Sequence, residues 1–144
     1  MEKLMISACL MGINCRYDGG NTKLAQLDEL KQCYELIPVC PETLAGLPCP
    51  RFPIEIVGDR VLNNQQEDVT EVFHRGADCA MGLWKASGCP KVLLQSRSPS
   101  CGKGIIYDGT FTGKKISGNG IFAQKLIDAQ AEIYSELEIE KIKA

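Results

Sequence analysis

The chain has a single histidine, His74, and no Cys-x-x-Cys pair. Zinc sites commonly draw four ligands from histidines and closely spaced cysteine pairs, so a zinc finger is disfavoured. His74 falls inside a predicted helix beside Phe73, where a histidine is structural or solvated rather than a ligand. No apolar run is long enough to span a bilayer, so no membrane partner is expected. Neither sign of charge dominates: 16 Lys and Arg stand against 18 Asp and Glu, for a net −2. That balance gives no general pull toward nucleic acid or an anionic membrane. The first residues, Met1 to Met5, lead straight into a strand-like segment without a signal-peptide layout, which makes a cytoplasmic location the expectation. With 144 residues, 44% of them hydrophobic, the chain is read as one domain over 1–144 with a sizeable core.

What the sequence has in excess is cysteine, eight in all. A disulfide scaffold belongs to small, secreted, core-poor domains, and this chain reads as neither secreted nor core-poor. Clustered cysteines in a reducing compartment serve instead as ligands or redox groups. Three of them end short apolar runs: Met5-Ile6-Ser7-Ala8-Cys9, Glu35-Leu36-Ile37-Pro38-Val39-Cys40, and Leu93-Leu94 followed by Gln95 to Cys101.

The intervening pattern predicts strands at Leu4–Cys9, Leu36–Cys40, Lys91–Ser96 and Ala131–Ser135. Helices are predicted at Leu24–Tyr34, Glu67–Ala86 and Ile121–Ala129, from apolar residues three and four apart. The four prolines of Pro41–Pro53 predict a stiff loop with no helix, and Gly102–Gly120 a Gly-rich loop. Ile54–Val57 and Val61–Leu62 read as a small peripheral hairpin, and Glu136–Ala144 as a solvated tail. Alternating strands and helices predict an α/β fold, a Rossmann-like three-layer sandwich around a small, mainly parallel sheet. Ligands in such sheets sit beyond the carboxyl ends of the strands, where this pattern gathers Cys9, Cys40 and Cys101.

Thiolates suit iron–sulfur clusters, and three strand-end cysteines would hold three irons of a cubane and leave a fourth open. Gly12, Gly102 and Gly104 would let backbone amides approach the sulfurs. Cys40-Pro41-Glu42 would bring a carboxylate to the metal for proton transfer. Ser98 and Ser100, beside Cys101, would donate hydrogen bonds to a substrate. Cys33 and Cys79 fall in predicted helices and are read as core residues. Cys15 is either a resolving thiol or a packing residue; Cys49 and Cys89 have no assignment. Arg16, Arg51 and Arg97 either bind an anionic or carbonyl group or tie loops together. Asp18 and Asp108 shape turns.

The loops as a set resemble a bacterial family once defined only as a domain of unknown function, whose characterised members are thiouracil desulfidases. The matching stretches are Ser7 to Gly19, Cys40-Pro41-Glu42 with Gly46-Leu47-Pro48 and Pro50-Arg51, Ser96 to Gly102, and Ile106 to Phe111. They follow in order over nearly the whole chain. The resemblance implies a 4Fe–4S cluster on Cys9, Cys40 and Cys101, and release of sulfur from 2-thiouracil-like bases to give uracil and hydrosulfide. It implies that Glu42 and a serine, either Ser98 or Ser100, act beside the cluster. Cys49 departs from the family's pattern, where a Thr or Ser is expected. Longer relatives carry a further domain and act on thiolated transfer RNA; here the expected partner is a thiolated base or nucleoside, and no nucleic acid. The alternative is a metal- or sulfur-binding carrier without turnover. A third possibility is a redox enzyme using Cys9 and Cys15.

Overall fold

The strand-like runs do pair in parallel, around a sheet that is covered on both faces. The computed structural model describes residues 1–143. In chain order its elements are β1 (Glu2–Ser7), α1 (Leu27–Cys33), β2 (Tyr34–Val39), α2 (Pro41–Leu44), β3 (Ile54–Val57), β4 (Arg60–Asn63), α3 (Thr70–Ser87), β5 (Lys91–Leu94), β6 (Ile105–Tyr107), β7 (Lys115–Ser117), α4 (Ile121–Asp128), β8 (Glu132–Ser135) and α5 (Ile139–Lys143). Short 3-10 turns occupy Ala8–Met11 and Glu136–Glu138.

The main sheet has the order β2-β1-β5-β8, with every pair parallel. Its central strands, β1 from Leu4 and β5 from Val92, are buried on both sides because both faces of the sheet are covered. Met5, Val92 and Leu94 point into one cluster with Ala77 and Ala80 of α3 and Phe122 and Leu126 of α4. Leu4, Ile6 and Leu93 point into the other, with Leu30 of α1 and Ile139 and Ile142 of α5. The three-layer sandwich expected from the alternation is therefore present. Strand order reverses between β1 and β5: β2 lies to one side of β1, and β5 and β8 to the other. A crevice opens at such a switch point, at the carboxyl ends of the strands.

Several local expectations are corrected. β1 ends at Ser7, and Cys9 sits one residue into the 3-10 turn that follows. Helix α1 begins at Leu27 with Gln26 as its cap, three residues later than the predicted start at Leu24. It passes into β2 at Tyr34 with no loop between. The proline-rich stretch does contain a short helix, α2, because its Pro41 occupies the first helical position, where no N–H is needed. The Gly-rich stretch 102–120 holds a second hairpin, β6–β7. The tail is not solvated: Ile139 and Ile142 are buried, behind a capping box formed by Ser135 and Glu138. Its last residue, Ala144, lies outside the described residues. Cys33 and Cys79 are exposed rather than core, whereas Cys89 is buried.

Candidate metal centre

The crevice at the switch point is a cavity of about 530 Å³. Its wall carries Cys9, Cys15, Cys40 and Cys101 together with Glu42, Ser98 and Ser100. Cys9 arrives from the turn after β1, Cys40 from the end of β2, and Cys101 from the loop after β5. These are three adjacent strands, so residues far apart in sequence share one wall.

The loop after β5 is fixed from below by α4. Ile121 N–H donates to Pro99 O at 2.9 Å, and Phe122 and Ala123 N–H donate to Ser100 O at 2.9 and 3.1 Å. The helix N-terminus thus finds acceptors in the site loop instead of water. This packing needs Gly120, since a Cβ there would lie 2.5 Å from the Ser100 carbonyl carbon. Above, the Ser98 hydroxyl accepts the N–H groups of Ser100 (3.1 Å) and Cys101 (3.0 Å), which sets the turn that aims Cys101.

Helix α2 positions Cys40 and Glu42. Leu44 N–H donates to Cys40 O at 3.0 Å, and the Thr43 hydroxyl donates to the Cys40 sulfur at 3.1 Å. Gly76 of α3 allows this short helix to lie flat, because a Cβ there would come within 2.2 Å of Pro41 O. The Glu42 carboxylate has a partner on each oxygen. Oε1 receives Arg51 Nε at 3.0 Å, and Oε2 receives the Ser100 hydroxyl at 2.8 Å. Ser100 Oγ also lies 3.0 Å from Ser98 Oγ, so a continuous chain runs Ser98–Ser100–Glu42. Ser100 is buried and Ser98 half-buried, which puts Ser98 at the more open end. The guanidinium of Arg51 reaches Pro48 O (3.1 Å) and Cys15 O (3.0 Å) as well. Arg51 is therefore a tie between loops. Arg16 pairs with Asp18, and both Arg16 and Arg97 line the cavity. Asp18 and Asp108 accept N–H groups two residues on, those of Gly20 and Thr110, as turn-shaping residues do.

The thiols divide by environment. Cys15 shares its hydrogen with the sulfurs of Cys9 and Cys40, which pulls Cys9 below the usual thiol range and Cys40 down to about 6. The same two contacts hold Cys15 far above that range, as a protonated donor. Burial pushes Cys101 up, against hydrogen bonds from Ser7 and Ser100. Cys9, Cys40 and Cys101 also feel one another electrostatically, as groups sharing one cavity do. The sequence left Cys15 open between two roles, yet it lies in this wall between two of the three strand-end thiols. Its spacing from Cys9, within one Gly-rich loop, was the available signal. Cys49 is exposed and donates to Asn14 O and Arg16 O, and His74 is exposed on α3.

Thiol donors from three adjacent strand ends, lining one cavity, fit a thiolate-bound iron–sulfur body in both chemistry and room. Among the described residues, no three His, Cys, Asp or Glu side chains close on a single-ion point. Donors to sulfur are present as well, from Cys15, Thr43 and Ser7, and these temper the charge of thiolate ligands. The sequence pointed to glycine-flanked amides for this work; hydroxyls and a thiol carry much of it.

The sequence model of the family described as 2-thiouracil desulfurase matches residues 4–138. The Uncharacterized protein YbbK of Bacillus subtilis (strain 168) is 39% identical over 149 residues, covering 96% of this chain and 99% of that protein. Among solved structures, the [4Fe-4S]-dependent thiouracil desulfidase TudS superimposes with a TM-score of 0.92 at 39% identity, over 98% of this chain and 95% of that one. No described helix is long and apolar enough to cross a membrane.

Proposed function

The chain belongs to the 2-thiouracil desulfurase family, and from that premise we propose that it is a [4Fe-4S]-dependent desulfidase that converts a 2-thiouracil-like base and water into uracil and hydrosulfide. Cys9, Cys40 and Cys101 would hold the cluster, in one domain spanning residues 1–144. When bound, the cluster supplies a Lewis-acidic iron without a protein ligand, suited to the thiocarbonyl sulfur.

The carbon–sulfur bond is replaced by a carbon–oxygen bond, with no net electron transfer, so the protein's task is to move protons. Glu42 takes a proton from water as its oxygen attacks the thiocarbonyl carbon, and it later returns a proton toward the departing sulfur. Ser100 links Glu42 to Ser98, and the half-buried Ser98 hydroxyl meets the substrate. Arg51 keeps the carboxylate aimed by occupying its far oxygen. The cavity volume lies within the range of small-molecule sites, and the near-neutral charge balance gives no pull toward RNA. A free base or nucleoside is thus the substrate, with no nucleic acid partner.

The observation that carries this reading is the Ser98–Ser100–Glu42 chain on the same wall as the three thiols. A carrier that only stores metal or sulfur has no need of that chain. Glu42→Gln separates the two: the variant should keep its cluster chromophore after anaerobic reconstitution and lose turnover by about a hundredfold or more. Full turnover in this variant would remove the acid–base role.

A further inference from the structure

Two hairpins lie outside the main sheet, β3–β4 and β6–β7. Neither belongs to the main core clusters, yet they are clasped to each other. Glu55 Oε1 on β3 accepts the N–H of Gly109 at 3.0 Å and the N–H of Phe111 at 3.1 Å. Gly109 rests directly on β3, where a Cβ would fall 2.7 Å from Ile56 O. Between the two N–H groups the Asp108 carboxylate accepts the Thr110 N–H, which completes the turn.

The outcome of this clasp is Phe111 at φ +59°. A bulky L-residue is rarely left-handed, and such conformations persist only where the surroundings enforce them. Among the described residues, three other non-glycine residues share the feature. Gln66 and Gln130 close ordinary turns through N–H bonds to Asn63 O and Ile127 O, whereas Arg97 and Phe111 line the cavity. Tyr107 and Tyr17 line it as well, so a wall of hydroxyls, thiols and charges carries an aromatic section.

We propose that Phe111 is the face on which the substrate's planar ring stacks, and that Glu55 is the positioning residue that presents it. This rests on the desulfidase reading for the identity of the ring. Thiouracil is flat and conjugated, and an aromatic face recognises that property independently of its exocyclic groups. Glu55 also borders the cavity, and it acts through the loop with the carboxylate oxygen that is committed to the Gly109 and Phe111 N–H groups.

The test uses the reconstituted holoenzyme and its variants Phe111→Leu, Phe111→Tyr, Glu55→Gln and Glu55→Ala. Steady-state kinetics with 2-thiouracil are paired with equilibrium dialysis of 2-thiouracil and of its 5,6-dihydro form, whose ring is puckered. Iron content is measured in parallel. Loss of a base–aromatic stack is worth about tenfold. Phe111→Leu should therefore raise KM and Kd for 2-thiouracil by about tenfold, keep kcat and iron content, and erase the preference for the planar ring. Phe111→Tyr, which keeps an aromatic face, should restore the planar-ring preference that Phe111→Leu loses. Glu55→Ala should raise KM in the same direction, Glu55→Gln less so, and adding Phe111→Leu to Glu55→Ala should cost little more. Unchanged binding or a retained planar preference in Phe111→Leu overturns the proposal. So does a wild type that binds neither ring. A wild type that binds 2-thiouracil through Phe111 but releases no sulfide contradicts the desulfidase reading alone.

Discussion

Arg51 and Glu42 are joined at a single carboxylate oxygen. Nε and Nη2 of the arginine reach Oε1 at 3.0 and 2.9 Å, leaving Oε2 to Ser100. Both side chains are nearly enclosed, at 5% and 11% exposed. Removing one partner of a buried pair costs about 3–5 kcal/mol, because the other charge is left without compensation. Arg51→Leu also frees Pro48 O and Cys15 O. It should lower the melting temperature by about 10 °C, at roughly 2–4 °C per kcal/mol for a chain of this size. Arg51→Lys should recover little of this, since an ammonium lacks the planar fork that spans three acceptors. Thermal unfolding of the two variants beside the wild type decides it.

The two serines should separate in different measurements. Ser100 touches Glu42, whereas Ser98 also organises the loop by accepting two N–H groups. Ser100→Ala should lower kcat by about a hundredfold with iron content unchanged. Ser98→Ala should lower both kcat and stability, the latter by about 1–3 kcal/mol for donors left unsatisfied. Kinetics and chemical denaturation of each variant check this. Equal effects on stability would show that the division of roles is wrong.

Cys40 titrates low because Cys15 and Thr43 donate to its sulfur. Its thiolate therefore forms through a midpoint of about 6, while Cys101 and Cys15 remain protonated at neutral pH. In the cluster-free chain at pH 7, iodoacetamide should modify half-buried Cys40 ahead of the exposed Cys33 and Cys79. Its rate should fall as the pH drops through 6, because alkylation follows thiolate population. Peptide mapping by mass spectrometry reads the order directly. Cys15→Ser, a poorer match for a sulfur–sulfur contact, should move the Cys40 midpoint upward.

Helix α2 lies against α3 at Gly76, and a methyl there would meet Pro41 O at 2.2 Å. The obstacle is backbone and cannot rotate away. Gly76→Ala should therefore destabilise by about 3 kcal/mol, the upper part of the overpacking range. Because Cys40 and Glu42 ride on this segment, iron retention should fall as well. Gly82→Ala, on the same helix with open space around it, is the control and should be neutral or mildly stabilising.

Much of this was legible in the residues. The parallel strands showed as apolar runs because both sheet faces are covered, and the cysteines after three of them marked the carboxyl edge. Helix α3 was legible from Phe73, Ala77 and Ala80, which share its buried face. Cys79, one position before Ala80, faces outward, so its presence in a helix said nothing of its face. Strands β6 and β7 were hidden because Lys115, Ile116 and Ser117 are all exposed and show no alternation. The buried tail helix was masked by its charges, although Ser135 with Glu138 and the spacing of Ile139 and Ile142 carried the signal. Arg51 could not be assigned from sequence, since its partner Glu42 is met only after the proline-rich loop folds back. The clasp between Glu55 and Phe111 spans 56 residues and left no local pattern.

The most direct measurement is iron and acid-labile sulfide per chain after anaerobic reconstitution, with sulfide release from 2-thiouracil assayed on the same samples. The wild type, Cys33→Ser and Cys79→Ser should hold a full [4Fe-4S] complement and release sulfide, while Cys9→Ser, Cys40→Ser and Cys101→Ser should lose both. A full cluster in any of those last three variants, or a loaded wild type that leaves 2-thiouracil intact, contradicts a catalytic cluster held by these three thiols.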